Sequence, residues 1–114
     1  MKLTIVQVSA FVSEWRKLRL TDADLSALEQ IIMDNPQAGS VMAGTGGIRK
    51  IRFAPPSWNT GKSGATRVCY VVFGGLGAAY LLTLFAKNEK SNLSAEEKAM
   101  YRKWMKMMKD RLAE

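Results

Sequence analysis

Arg67 and Lys87 bracket two apolar runs, and upstream of them Lys50 and Arg52 alternate with Ile51 and Phe53. Together with Arg49 and Lys62 they are the six basic residues between Asp34 and Glu89, a stretch with no acid. Cations gathered without carboxylates suit a phosphodiester backbone. On adjacent strands they can also stabilise the negative charge that develops when a ribose 2′-hydroxyl attacks the next phosphate. That reaction needs no metal, and with no histidine and one cysteine the chain has no cluster from which to build a metal site. Paired carboxylates are absent from its centre, which leaves a two-metal nuclease or a glycosidase nothing to work with there. Proton transfer then falls to Lys, Glu or Tyr, with neighbouring cations drawing a lysine pKa towards neutrality.

Two glycine-rich stretches look like phosphate loops but fail their requirements. Thr60-Gly61-Lys62-Ser63 ends like a P-loop, yet Pro56 stands where the first glycine is needed and no buried strand precedes it. Gly44-Thr45-Gly46-Gly47 lacks the G-x-G-x-x-G spacing and a following helix, so its glycines suit a tight turn into the basic strand. Cys69 sits in an apolar run with no histidine base, which makes it a small core residue and not a nucleophile. Asn92-Leu93-Ser94 fits a glycosylation sequon, a motif without meaning in a cytoplasmic protein.

At 114 residues and 47% hydrophobic content the chain fits one domain, residues 1–114, with one modest core. Its net charge of +7 favours a polyanionic partner: nucleic acid, ribosome or anionic membrane. The lone cysteine points to a reducing cytoplasm. Met1 to Val12 is apolar but broken by Gln7 and Ser9, with no small-residue cleavage site, so secretion is not expected. Val68 to Ala86 is charge-free and just long enough to span a bilayer. Its middle, Gly74-Gly75-Leu76-Gly77, suits a turn between two strands far better than a membrane helix.

The elements that position the cations follow from periodicity. Leu3 to Val8 reads as a strand, and Phe11, Trp15 and Leu18 recur at helical spacing. Thr21 can cap a second helix, with Asp22 and Asp24 at its positive end, a buried stripe of Leu25, Leu28, Ile31 and Ile32, and Asn35-Pro36 as its stop. After a turn-rich stretch from Gly39 to Gly47, Ile48 to Phe53 alternates, sending Ile51 and Phe53 to one face and Lys50 and Arg52 to the other. Ala54 to Thr66 is a long loop carrying Trp58 and Lys62. The hairpin then places Arg67 and Lys87 at one end of the sheet. Ser94 and Glu97 form a capping box before a helix whose expected apolar stripe is Met100, Trp104, Met107, Met108 and Leu112. The predicted order is β-α-α-β-β-β-α in a single α+β domain, an antiparallel-rich sheet packed against helices.

Several of these segments in this order resemble the RelE superfamily of bacterial toxins, in particular its HigB-type branch. They are Thr21-Asp22-Ala23-Asp24-Leu25 with Asn35-Pro36, Gly44 to Phe53, Arg67-Val68-Cys69-Tyr70, and Ala86-Lys87-Asn88-Glu89-Lys90 ahead of the capped last helix. The resemblance covers nearly the whole chain. It implies the RelE-like fold and a type II toxin that cuts messenger RNA in the A site of the 70S ribosome, inhibits translation and is neutralised by a cognate antitoxin. It implies no metal and no small-molecule cofactor.

By position the family's basic residues match Lys50, Arg52, Arg67, Lys87 and Lys90. Arg67, Lys87 and Lys90 are thus the catalytic candidates, and Arg49, Lys50, Arg52, Lys62, Tyr70 and Asn88 the RNA-binding ones. Better-known relatives carry an arginine near the place of Asn88 and a catalytic tyrosine near that of Ser94. The alternative function is a non-catalytic module that binds RNA or the ribosome through the same cations.

Overall fold

The computed structural model describes residues 2–58 and 65–112. Five strands form one mixed sheet: β1 Thr4–Gln7, β2 Ser40–Val41, β3 Arg49–Phe53, β4 Thr66–Phe73 and β5 Ala78–Ala86, in the order β1-β5-β4-β3-β2. β1 runs parallel to β5, and the other neighbours are antiparallel. Three helices complete an α+β fold: α1 Ser9–Lys17, α2 Asp22–Asp34 and α3 Ala95–Leu112. The sequence pattern omits β2, which hides inside the turn-rich stretch because two residues are too few to show a period. β2 pairs only with Arg49 and Lys50, so among the described residues no strand lies beyond the edge of β3 from Ile51 to Phe53.

β4 and β5 are buried almost throughout. Their charge-free sequence is therefore a central hairpin, and no helix among the described residues is long and apolar enough to cross a membrane. Gly77 supplies the left-handed residue of the turn, at φ 60°.

On one face of the sheet Phe11, Trp15, Leu28 and Ile32 of α1 and α2 pack with Phe53, Val68, Tyr70, Leu81 and Leu84. α2 starts at a reciprocal box: Asp24 N–H donates to Thr21 Oγ1 at 3.1 Å, and Thr21 N–H donates to Asp24 Oδ2 at 2.9 Å. Asn35 ends the helix as expected. Ile31 falls outside the buried stripe at 39% exposed, because Leu25, Leu28 and Ile32 define the inward face and Ile31 lies at its margin.

On the other face α3 covers Ile48, Cys69, Val71, Phe73, Leu82 and Phe85. Its buried stripe is Tyr101 and Met105, flanked by half-buried Trp104 and Met108. Met100, Met107 and Leu112, expected in that stripe, are exposed, because the helix phase is set by Tyr101 and Met105. The glycine turn Gly44 to Gly47 is clamped beneath α3. Thr45 Oγ1 donates to the Met42 carbonyl at 2.7 Å and accepts from Ile48 N–H at 3.0 Å. A Cβ on Gly46, which has φ 81°, would meet Met105 Cβ at 3.1 Å.

Candidate active site

Strand alternation decides which cations meet. Ile48 just before β3, Lys50 and Arg52 of β3, and Arg67, Cys69 and Val71 of β4 share the α3 side, and the register sets Arg52 directly opposite Arg67 and Lys50 opposite Cys69. α3 covers Ile48, Cys69 and Val71 but stops short of the basic end. An open cleft of about 880 Å³ runs along the β3 edge at this end, lined by Lys50, Arg52, Arg67 and Ser91, by Ile51, Phe53 and Ala54, and towards α2 by Ile31, Ala38 and Ser40. Lys50 Nζ donates to the Ser91 carbonyl at 3.2 Å, tying the chain beyond β5 to the cleft.

Arg67 is the unusual member. It is only 7% exposed, and its guanidinium donates to the neighbouring Thr66 carbonyl at 3.3 Å. The two ion pairs among the described residues, Glu14 with Lys17 and Glu97 with Lys90, involve neither Arg67 nor Lys50 nor Arg52. Like charges directly opposite each other on neighbouring strands repel, and a desolvated cation without a carboxylate is costly. An anion seated between Arg52 and Arg67 relieves both.

The remaining candidates divide. Arg49 points to the α1 and α2 side, where its Nη1 donates to the Gly39 carbonyl at 2.7 Å. Tyr70 also lies on that side and is fully buried. Its hydroxyl donates to the Pro36 carbonyl at 2.9 Å and accepts from Gly39 N–H at 3.0 Å, while burial pushes its pKa up. Tyr70, expected among the RNA-binding residues, anchors the segment after α2, because its strand position points it into the core. Lys90 Nζ bonds both Glu97 oxygens, at 2.8 and 3.0 Å, and lies 5.0 Å from the Phe85 ring centroid. Burial works to raise the Glu97 pKa, but bonds from Lys90 and from Ser94 N–H hold it below its ordinary value. Ser94 is occupied as the cap of α3, accepting from Glu97 N–H at 3.1 Å. Lys62 lies outside the described residues.

Lys87 and Asn88 are exposed at the same end of the sheet, where Thr66 pairs with Ala86 and Lys87 N–H reaches the Ala65 carbonyl at 3.4 Å. They line a second cleft of about 730 Å³ with Leu18, Trp58, Ala86 and Glu89. The sequence reading missed how Trp58 is held there. Pro56–Trp58 forms a 3-10 turn, and buried Asp24 takes hydrogen bonds from Ser57 N–H at 3.0 Å and from Ser57 Oγ at 2.6 Å. Burial works to raise the Asp24 pKa, yet the bonds from Ser57 and Thr21 prevail and lower it. A Thr-x-x-Asp box is visible in sequence, but that its carboxylate also holds a loop residue 33 positions away is not. Cys69 is buried with its pKa pushed up to about 12, chiefly by desolvation, and so stays a thiol.

The family described as "RelE toxin of RelE / RelB toxin-antitoxin system" matches residues 3–114. Two solved structures share the fold. An arginine-to-alanine double mutant of E. coli toxin RelE in the free state is 17% identical, with a TM-score of 0.58 over 90% of this chain and 98% of that one. Isolated E. coli RelE is 16% identical, with a TM-score of 0.52 over 88% and 97%.

Proposed function

The chain belongs to the RelE family of toxins from RelE/RelB toxin-antitoxin systems, and on that premise we propose that it is a metal-independent endoribonuclease of the HigB-type branch. It cuts messenger RNA in the ribosomal A site and so inhibits translation. One domain, residues 1–114, carries the activity in the cytoplasm, and a cognate antitoxin restrains it. The observation that carries this reading is Arg67, nearly buried, facing Arg52 across the strand pair, and without a carboxylate partner among the described residues.

Arg67 holds the scissile phosphate at the floor of the cleft, and Arg52 and Lys50 bind its neighbours on the RNA backbone. As the 2′-oxygen attacks, charge builds on the phosphate oxygens between two arginines that the strand register sets opposite each other, which favours the transition state over the bound substrate. A lysine at the rim, in its neutral form, takes the 2′-hydroxyl proton as the bond from the 2′-oxygen to phosphorus forms. The bond from phosphorus to the 5′-oxygen breaks, and that oxygen leaves with a proton returned by the lysine ammonium or supplied by water. Lys87 serves at the end of the sheet. Lys90, held by Glu97, acts by fixing the segment that carries Lys87 and Ser91.

Expression in a bacterial host is expected to arrest growth and to leave messages cut at defined ends in primer extension. Arg67→Ala and Lys87→Ala are expected to relieve both effects. If both variants stay fully toxic, this assignment of the site is wrong. Ser94 and Lys90 are both engaged in the α3 cap, which favours the second reading, a non-catalytic RNA- or ribosome-binding module. Growth arrest without cut messages would establish that reading instead.

A further inference from the structure

The cleft around Trp58 differs in kind from the cationic one. Its apolar surface is Leu18, Ala86 and the half-buried indole of Trp58, and its exposed rim is Lys87, Asn88 and Glu89. Among the described residues its lining carries one cation, Lys87, and one anion, Glu89. Its volume of about 730 Å³ lies within the range of roughly 300–1,000 Å³ usual for small-molecule pockets. A flat ring system is what an aromatic wall and an apolar floor accommodate. Asn88 offers amide donors and an acceptor and Glu89 further acceptors, the groups that pair with the edge of a base.

Two further observations tie this cleft to RNA. Trp58 is held in place, because the residue before it is bonded through both backbone and side chain to the buried Asp24 carboxylate. A wall whose backbone is already fixed loses less freedom when a base stacks on it. The two clefts are also close along the strand pair: Arg67 pairs with Phe85, and Lys87 stands two residues further on, about 7 Å along an extended chain.

We propose that the Trp58 cleft seats one unstacked base of the same RNA whose backbone crosses Lys50, Arg52 and Arg67. Trp58 is the stacking platform, Asn88 and Glu89 meet the base edge, and Lys87 holds the phosphate that links the two clefts. This rests on the RNA-cleaving reading above and adds a base-binding subsite to it.

The test is equilibrium binding, at low and then rising salt, of short labelled single-stranded RNAs that are intact or carry one abasic residue stepped along the chain. The proteins compared are the full chain and its Trp58→Phe, Trp58→Leu and Arg67→Ala variants, each checked for folding by circular dichroism. For the unaltered chain, one abasic position is expected to weaken binding about tenfold. Trp58→Leu is expected to weaken intact RNA by about the same factor and to erase the abasic effect. Trp58→Phe should keep most of it, and all Trp58 variants should keep the salt slope.

Arg67→Ala should reduce the salt slope by about one and leave the abasic effect intact. Salt-dependent binding with no abasic position that matters, or an abasic effect that survives Trp58→Leu, would overturn the subsite while leaving the cationic cleft in place. No RNA binding by the unaltered chain even at low salt would overturn both. Loss of antitoxin binding on Trp58→Leu with RNA binding unchanged would make this a protein-docking pocket and also overturn the subsite.

Discussion

The two clefts at the basic end of the sheet are built by opposite means. In the cationic cleft Arg67 is buried against Arg52 without an acid, so the folded protein holds an arrangement that electrostatics disfavours until an anion arrives. In the Trp58 cleft buried Asp24 satisfies Thr21 and both polar groups of Ser57, so the wall is settled without a ligand. The comparison separates strain kept for function from bonding kept for shape. A group in the first class is expected to cost stability and supply activity, and one in the second to do the reverse.

The largest test of that contrast is Arg67→Met, which keeps the apolar stem and removes the charge. Cleavage is expected to fall by at least about 10², while stability holds or rises by about 1 kcal/mol, because a desolvated unpaired cation is replaced by an apolar side chain. Single-turnover cleavage and urea unfolding together decide it. A large loss of stability would mean that Arg67 is structural.

Asp24→Ala is expected to act the other way, costing about 2–3 kcal/mol of stability because three hydrogen bonds to one buried carboxylate are lost together. The salt dependence of RNA binding should not change. pH gives a second handle on the same group. The folded pKa of Asp24 is lowered, so its stabilisation is fully present above the unfolded value of about 3.9 and is lost as pH falls through the folded value. Thermal unfolding from pH 6 down to acid should show this loss for the unaltered chain, with a shallower decline for Asp24→Asn.

Tyr70→Phe removes two buried hydrogen bonds to the segment after α2, an expected cost of about 1–2 kcal/mol, with RNA affinity unaltered. A drop in RNA affinity at unchanged stability would return Tyr70 to the binding surface. The smallest effect is expected from Lys90→Gln. Its pair with Glu97 is partly exposed, with 40% and 34% of the two side chains accessible, and such pairs contribute about 0–1 kcal/mol. A loss of cleavage as large as that of the Arg67 variant would place Lys90 in the chemistry itself.

Much of this was legible from residue types and spacing. The alternation of Lys50 and Arg52 with Ile51 and Phe53 placed the two cations on one face, and the glycines after Phe73 placed Arg67 and Lys87 at one end. Thr21 and Asp24 announced a helix start, and Ser94 with Glu97 announced another. Tyr70 and Arg49 read as neighbours of the patch because they are close to it in sequence, yet strand alternation turns both to the other side. Lys90 read as a free cation because its partner Glu97 was already explained as a cap.

By itself the sequence determined the acid-free cationic centre, the α+β class and the strands that present Lys50, Arg52 and Arg67. Local alternation and turn chemistry act over a few residues, and so they can be read directly. Only the tertiary structure decided that α3 stops short of the basic end, that Arg67 is buried with no carboxylate partner among the described residues, and that Asp24 reaches Ser57 to hold Trp58. It alone decided the phase of β5, where the pairing passes from Leu81 to Thr83 and leaves Leu82 outside the register, so that residues before and after it change sides. Such features depend on contacts between segments far apart in the chain, whose geometry no local period encodes.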